Sequence, residues 1–453
     1  MTIHELVELQ RRDFLSGRRD PVERRIDQLE ALQKTITRRE EQICAALERD
    51  LGKCPEEAYM TEIGMVQSEI THALRHLAKW SRPKKVHTPL AHFPASSYIL
   101  KEPYGVVLIM APWNYPFQLT MNPFIGALGA GNRCILKPSA YAPATSQMIA
   151  SLISECFPAE QAAVVMGGRE ENQALLEERF DYIFFTGGVN VGKFVLEKAA
   201  RYVTPVTLEL GGKSPCIVDA SADLSVAARR IAFGKALNSG QTCVAPDYLL
   251  VQESVKDQLM LKIRACWEEF YGDALQNDQW PRMVNEKHYR RVMSLMGGED
   301  IYCGGVGDGL RIAPTLLNNV RLDSPIMQEE IFGPVLPVLS FRRIEEAIAL
   351  INSRERPLAL YLFTRRQSVR QRVLEQVPFG GGCVNDTVIH LAASSLPFGG
   401  VGQSGMGRYH GKYTFDTFTH EKSVVIRRNH PDLQLKYPPY SQKKLKWVRK
   451  FLR

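Results

Sequence analysis

Five short apolar runs constrain this chain more than any other feature. They are Val106-Val107-Leu108-Ile109-Met110, Cys134-Ile135-Leu136, Ala163-Val164-Val165-Met166, Tyr182-Ile183-Phe184-Phe185 and Pro205-Val206-Thr207-Leu208. Most carry no polar face, and segments of helical length separate most of them. Strands buried on both faces belong to a parallel sheet covered on each side, so this stretch predicts a Rossmann-like α/β layer. Ligands on such sheets sit beyond the carboxyl ends of the strands. A second βα pattern starts near residue 210 with Cys216-Ile217-Val218, Tyr248-Leu249-Leu250-Val251 and the segment at Pro334-Val335. Residues 1–85 read as helices. Ile3, Leu6, Val7 and Phe14 mark an amphipathic one. Asp20-Pro21 reads as a cap and first-turn pair before Val22, Ile26, Leu29, Leu32 and Ile36 at helical spacing. Between Pro83 and Pro103 the texture shifts to Pro, Ser and His and ends in Ser97-Tyr98-Ile99-Leu100, an expected strand arm.

The 453 residues suffice for two or three domains, each with its own core. No apolar run approaches the roughly 18 residues of a membrane span, and Met1-Thr2-Ile3-His4-Glu5 lacks the basic-then-apolar order of a signal peptide. The nine cysteines show no C-x-x-C spacing, which supports neither a disulfide framework nor a zinc site. A reducing cytoplasm and no bound metal are expected. The net charge of +8 concentrates near the end, where Lys443, Lys444, Lys446, Arg449, Lys450 and Arg453 alternate with Leu445, Trp447, Val448, Phe451 and Leu452. Such a segment reads as a helix on an anionic membrane surface or as a solvated tail. No basic recognition motif accompanies it, so a nucleic-acid partner is not expected.

Three glycine-bearing loops need separating. Thr186-Gly187-Gly188-Val189-Asn190-Val191-Gly192-Lys193-Phe194 satisfies G-x-x-x-x-G-K, but Phe194 stands where a P-loop needs a magnesium-binding hydroxyl. A bare turn at a helix N-terminus still suits a phosphate or pyrophosphate. Gly400-Val401-Gly402-Gln403-Ser404-Gly405 matches G-x-G-x-x-G without a clear strand before it or a helix start after it. It reads as a shaped loop near an active site or a subunit contact. Gly380-Gly381-Gly382 reads as a flexible turn.

Cys243 lies in Ser239-Gly240-Gln241-Thr242-Cys243-Val244-Ala245-Pro246, between a helix expected from Leu224 to Gly240 and the strand at Tyr248. A lone cysteine more often packs as a small hydrophobe. The alternative is a reactive thiol, with Glu209 of Leu208-Glu209-Leu210-Gly211-Gly212-Lys213 as a base near it.

Six motifs in order decide between these readings. They are Ala111-Pro112-Trp113-Asn114-Tyr115-Pro116, Ile135-Leu136-Lys137-Pro138-Ser139, Phe185-Thr186-Gly187, Leu208 to Lys213, Ser239 to Cys243, and Glu329-Glu330-Ile331-Phe332-Gly333-Pro334-Val335. Together they resemble the NAD(P)-dependent aldehyde dehydrogenase superfamily. Asn114-Tyr115-Pro116 and Cys243-Val244-Ala245-Pro246-Asp247-Tyr248 resemble its class 3, fatty aldehyde dehydrogenase-like branch. The resemblance implies oxidation of a small-molecule aldehyde to an acid with NAD or NADP. In it Cys243 forms a thiohemiacetal and then a thioester, Asn114 and the Cys243 amide hold the oxyanion, and Glu209 activates water. It assigns Lys137, Trp113, Gly187, Gly188, Gly192, Glu330 and Phe332 to the cofactor, and Tyr115 and Phe233 to the substrate channel. It also implies a domain plan: residues 1–85 with 105–207 as the cofactor-binding domain, 208–390 as the catalytic domain, and 86–104 with 391–453 as a β oligomerisation arm and tail. The branch typically forms homodimers, here through the arm and the strand near Ser423-Val424-Val425-Ile426. Some of its members carry a membrane-spanning tail beyond the position of Tyr437-Pro438-Pro439. The present sequence resembles those without one, so a long-chain aldehyde is not implied.

Two departures stand out. An acid usually follows the lysine by three residues, where Ala140 stands here; losing that carboxylate removes a repulsion against a 2′-phosphate, so NADP is expected to be accepted. Gly188 replaces a common serine, and weaker cofactor affinity is expected. Transfer of the acyl group to coenzyme A instead of water, or a structural or membrane-surface role on an inactive scaffold, are the competing readings.

Overall fold

The computed structural model describes residues 1–17, 20–432 and 434–451, and the side chains of all of these except Phe451. The five expected runs form the parallel strands Val106–Met110, Arg133–Lys137, Ala162–Val164, Tyr182–Gly187 and Val206–Leu210. Their spatial order places Val106–Met110 centrally, flanked by Tyr182–Gly187 then Val206–Leu210 on one side and Arg133–Lys137 then Ala162–Val164 on the other. The direction of strand addition reverses between Val106–Met110 and Tyr182–Gly187. That switch point opens a crevice at their carboxyl ends, where Trp113, Asn114, Gly187 and Gly188 follow.

Helices cover both faces. Leu6 and Val7 of helix Ile3–Leu15 pack with Val106, Leu108 and Ile135. Helices Val22–Arg38, Glu40–Leu51 and Gly64–Trp80 pack over Val107, Ile109 and Leu136 on the other face. Thr2 caps the first helix through its hydroxyl, and Glu5 returns a carboxylate to the Thr2 amide. Pro21 stands at the N-cap of the second helix, one place earlier than the sequence suggests. The Asp20 carboxylate pairs with Arg24 and with Arg133, 113 residues further along the chain.

The second sheet runs Asp300–Cys303, Thr315–Asn318, Val335–Phe341, Tyr248–Gln252, Pro215–Val218, Ala359–Phe363 and Gly381–Val384, parallel except for its first strand. Its last strand corrects the turn expected at Gly380-Gly381-Gly382. A Cβ on Gly380 would stand 2.6 Å from the Leu358 carbonyl oxygen, and one on Gly382 2.0 Å from that of Leu360. The glycines therefore allow close backbone approach to the neighbouring strand.

The third sheet is the arm: Lys84–Val86, Ala95–Pro103 and Thr419–Arg427, all antiparallel. Thr419–Arg427 is an edge strand, with Val425 60% and Ile426 61% exposed. The boundary expected at 207/208 divides the strand Val206–Leu210, and Gly405–Met406 adds to that strand from late in the chain. The basic segment forms the helix Gln442–Phe451. Leu452 and Arg453 of that reading lie outside the described residues. Among the described residues, no helix is long and apolar enough to cross a membrane, and no cluster of metal-ligating side chains is present.

Candidate active site

The helix before Cys243 ends at Ala236, not at Gly240. Asn238, Ser239 and Gly240 then adopt left-handed backbone angles in succession, with φ of 51°, 53° and 71°. Such angles strain non-glycine residues and persist where the surroundings fix them. Here the fixing groups are explicit. Ser239 donates to the Pro281 carbonyl at 2.8 Å, and the Gln241 amide bonds Asn238 O, Arg282 O and the Val284 N–H at 2.9–3.1 Å. Gly240 has no room for a side chain, because a Cβ would lie 2.3 Å from the Gly333 carbonyl oxygen. The loop is thus locked against the segment that carries Glu330 and Phe332.

Asn114 is 3% exposed and its side-chain amide donates to the Gln241 carbonyl at 3.0 Å. Its own carbonyl accepts from Asn238 Nδ2 at 2.6 Å and from Lys53 Nζ at 3.2 Å. Tyr115, next in sequence, bonds the Thr242 hydroxyl at 2.6 Å, and the Lys53 ammonium lies 4.0 Å from its ring centre. Asn114 and the loop that ends in Cys243 are therefore cross-linked, the bonded pair being 127 residues apart in sequence.

Cys243, Glu209, Tyr115 and Phe233 all line one largely apolar cavity of about 190 Å³, with Met65 and Phe398 among its other walls. The cavity decides the protonation states. Burial, then the Glu330 and Glu209 carboxylates, push the Cys243 thiol up to about 12, opposed by the Cys243 and Val244 amides that face the sulfur. Burial alone holds Glu209 well above the usual carboxylate range. Both its oxygens are buried without a hydrogen-bond partner among the described residues, and the Gly405 backbone pairs beside it. The loop Gly400–Gly405 accordingly sits at the site, as its shape suggested. In this conformation burial favours the uncharged form of both the thiol and the carboxyl.

The cofactor candidates divide. Among the described residues, Gly188 leaves open space where a side chain would be, the helix Val189–Ala200 has no side-chain cap, and the buried Thr186 hydroxyl has no partner. These free donors fit a pyrophosphate. Gly192 does not share that role: its amide bonds Gly188 O, and a Cβ would meet Leu210 at 2.6 Å. It is a close-packing glycine between helix and strand. Lys137 is 3% exposed and its ammonium donates to Pro138 O and Gly167 O, leaving one proton for a ligand. Ala140 leaves its side of the crevice without a carboxylate, but Glu171 caps the next helix by accepting from the Gly168 amide at 2.6 Å and acts electrostatically on Lys137.

Glu330 lies against Gly211, borders a second cleft with Gly211, Gly212 and Lys213, and is pushed up to about 8 by burial and then by Asp247. Phe332, at φ 50°, meets Trp113 edge-on at 5.3 Å. A strap absent from the sequence reading holds this loop: Lys213 pairs with Asp247 and donates to Ile326 O and Glu329 O at 2.8 Å, while Asp247 accepts from the Ile331 amide at 3.0 Å. The sequence reading also missed Lys53, Glu57 and Glu62, each at most 6% exposed. Glu62 pairs with Lys53 at 2.5 Å and accepts the Phe117 and Gln118 amides, and Glu57 accepts the Asn238 amide at 2.7 Å. The sequence carries no signal for them, because exposed neighbours such as Tyr59 and Met60 give the segment no buried pattern.

Comparison with known proteins agrees with this fold. The aldehyde dehydrogenase family model matches residues 2–424. The chain is 51% identical over 434 residues to the 4,4'-diaponeurosporen-aldehyde dehydrogenase of Staphylococcus aureus, covering 95% of this chain and 94% of that one. It is 44% identical over 442 residues to the dimeric NADP-preferring aldehyde dehydrogenase of Canis lupus familiaris, covering 96% and 98%. A solved structure of Staphylococcus aureus AldH in a substrate-bound state superposes with a TM-score of 0.98 at 49% identity over the whole of both chains.

Proposed function

The chain belongs to the aldehyde dehydrogenase family, and we propose that Cys243 is its nucleophile, Asn114 its oxyanion donor and Glu209 its base. The protein oxidises aldehydes to carboxylic acids with NAD or NADP. The observation that carries the assignment is the shared cavity: Cys243 and Glu209 line one pocket, and Asn114 is hydrogen-bonded to the loop that ends in Cys243.

The Cys243 thiol first loses its proton to solvent water, and the sulfur, as thiolate, then adds to the aldehyde carbon and gives a tetrahedral adduct. The Cys243 amide and the second proton of the Asn114 amide stabilise the oxygen that becomes negative, each donor contributing about 3–4 kcal/mol. When bound, the nicotinamide ring supplies the acceptor for the hydrogen and two electrons that leave the adduct. Cys243 then holds the acyl group as a thioester. Glu209 takes a proton from water, whose oxygen attacks the thioester carbon and returns the thiol. Burial favours the protonated carboxyl, which takes no proton, so the cavity hydrates after oxidation: water restores solvation to the carboxylate and lowers its pKa. A carboxyl aimed into the acyl cavity favours water over coenzyme A as acceptor.

Lys137 would take the adenosine ribose, the Gly187-Gly188 turn the pyrophosphate, and Glu330, with Phe332 and Trp113 beside it, the nicotinamide ribose. We assign residues 1–85 and 105–207 chiefly to cofactor binding and 208–390 chiefly to catalysis. Pairing into a homodimer is assigned to the arm and the exposed strand Thr419–Arg427; a dimeric relative supports this. Nine free cysteines support a reducing, cytoplasmic setting. The helix Gln442–Phe451, with Leu445 39% and Trp447 45% exposed, is assigned a weak contact with anionic membranes. Sedimentation with anionic vesicles, comparing the full chain with one cut before Lys443, tests that contact.

The central test follows aldehyde oxidation with each cofactor, with and without coenzyme A. Free acid formed without coenzyme A, and lost in Cys243→Ala, is the expected result. An acyl-coenzyme A product, or substantial activity in Cys243→Ala, overturns the assignment.

A further inference from the structure

We propose that Glu57 is a positioning residue for the nucleophile loop, acting across the fold through the backbone amide of Asn238. Glu57 is 6% exposed, and its Oε1 accepts the Asn238 N–H at 2.7 Å. Asn238 opens the run of three left-handed residues that turns the chain from the helix Leu224–Ala236 into Gln241-Thr242-Cys243. Asparagine tolerates the left-handed region better than most side chains, but Asn238 opens three such residues in succession, and a run of that kind persists only with a fixing partner. Its amide points away from any helix of its own, so the carboxylate supplies that partner from 181 residues earlier. The Asn238 side chain then passes the constraint on, donating to Asn114 O at 2.6 Å and Gln241 O at 3.2 Å. One carboxylate thus fixes the junction between oxyanion donor and nucleophile without touching either reacting group.

The local backbone explains how Glu57 reaches that place. Residues Tyr59–Ile63 form a π-turn, in which the Gly64 amide bonds the Tyr59 carbonyl. In an α-helix Glu57 and Glu62 would point about 140° apart. The wider turn narrows that angle and sends both carboxylates inward, Glu62 to Lys53 and the helix start at Phe117, and Glu57 to Asn238. Gly64 makes the turn possible, since a Cβ there would stand 2.9 Å from the Tyr59 carbonyl oxygen. π-turns inside helices are found disproportionately at functional sites.

The inference rests on Cys243 being the nucleophile, and Cys243→Ala tests that separately: residual activity there sinks the nucleophile assignment whatever Glu57 does. Glu57→Leu removes the acceptor and Glu57→Gln keeps one. In Glu57→Leu, kcat is expected to fall at least about tenfold, within the range that ångström-scale misplacement costs. The KM values for aldehyde and cofactor should stay within about twofold, since the binding groups are untouched. Glu57→Gln should restore most of kcat. If Glu57→Leu keeps kcat within about threefold of the parent, or if Glu57→Gln is as impaired as Glu57→Leu, the proposal fails. Should Glu57→Leu not fold, Glu57→Asp replaces it: one methylene shorter, it is expected to be slow where Glu57→Gln is not, and equal activity of the two overturns the role.

Discussion

The side-chain amide of Asn114 donates to the main-chain carbonyl of Gln241 at 3.0 Å, joining the end of the first sheet to the loop of the nucleophile. One amide proton is used in that bond and the other remains for an oxyanion. Asn114→Ala removes both. Steady-state kinetics should show kcat lower by about 10²–10³, the loss of one oxyanion donor, with a smaller change in aldehyde KM. A kcat within about threefold of the parent would remove Asn114 from the reaction.

The thiol of Cys243 is pushed up to about 12 by its dry surroundings and the nearby carboxylates. Only the thiolate is nucleophilic, so alkylation of the cofactor-free protein by iodoacetamide should be slow at pH 7 and quicken about tenfold per pH unit up to pH 9. Labelling is read by mass spectrometry of the peptide that contains Cys243. A plateau below pH 8 would show a stabilised thiolate and contradict this.

Ala140 leaves the lysine side of the crevice without the carboxylate that repels a 2′-phosphate. The parent should use NADP, and a kcat/KM ratio favouring NAD more than about a hundredfold, roughly 2.7 kcal/mol, would refute that. Ala140→Glu should shift the NADP/NAD ratio toward NAD by at least about tenfold. Glu171 already acts on Lys137, but its carboxylate is engaged at the Gly168 amide, so it is expected to matter less than a new charge at 140.

Thr419–Arg427 presents an unpaired edge with two exposed β-branched residues. Exposed edges pair unless charge opposes it. Ile426→Asp is expected to shift the protein from dimer to monomer in light scattering behind size-exclusion chromatography. An unchanged mass would move the interface elsewhere.

Much of this was readable in advance, for local reasons. The five buried runs became the first sheet because strands without a polar face must be covered on both sides. Asn114, Glu209 and Cys243 were legible because each sits in a short motif at a strand or helix end. The errors also have physical causes. Gly380 to Gly382 looked like a turn because glycine disfavours strands, whereas here close approach to Leu358 and Leu360 requires it. Gly192 looked like part of a phosphate loop, whereas its place in the helix spends its amide on Gly188. Gly240 looked like a helix stop, whereas it fills a gap against Gly333.

The sequence by itself determined the layered α/β architecture, since the periodicity of buried strands is a property of neighbours along the chain, and its six motifs singled out candidate site residues through their resemblance to a family. Only the tertiary structure decided the state in which those residues rest. The upward shifts of the Cys243 thiol and the Glu209 carboxyl, the Lys213–Asp247 strap and the Glu57–Asn238 bond all depend on burial and on partners far apart in sequence. Desolvation and long-range hydrogen bonds exist only once the chain has closed on itself, and no local pattern encodes them.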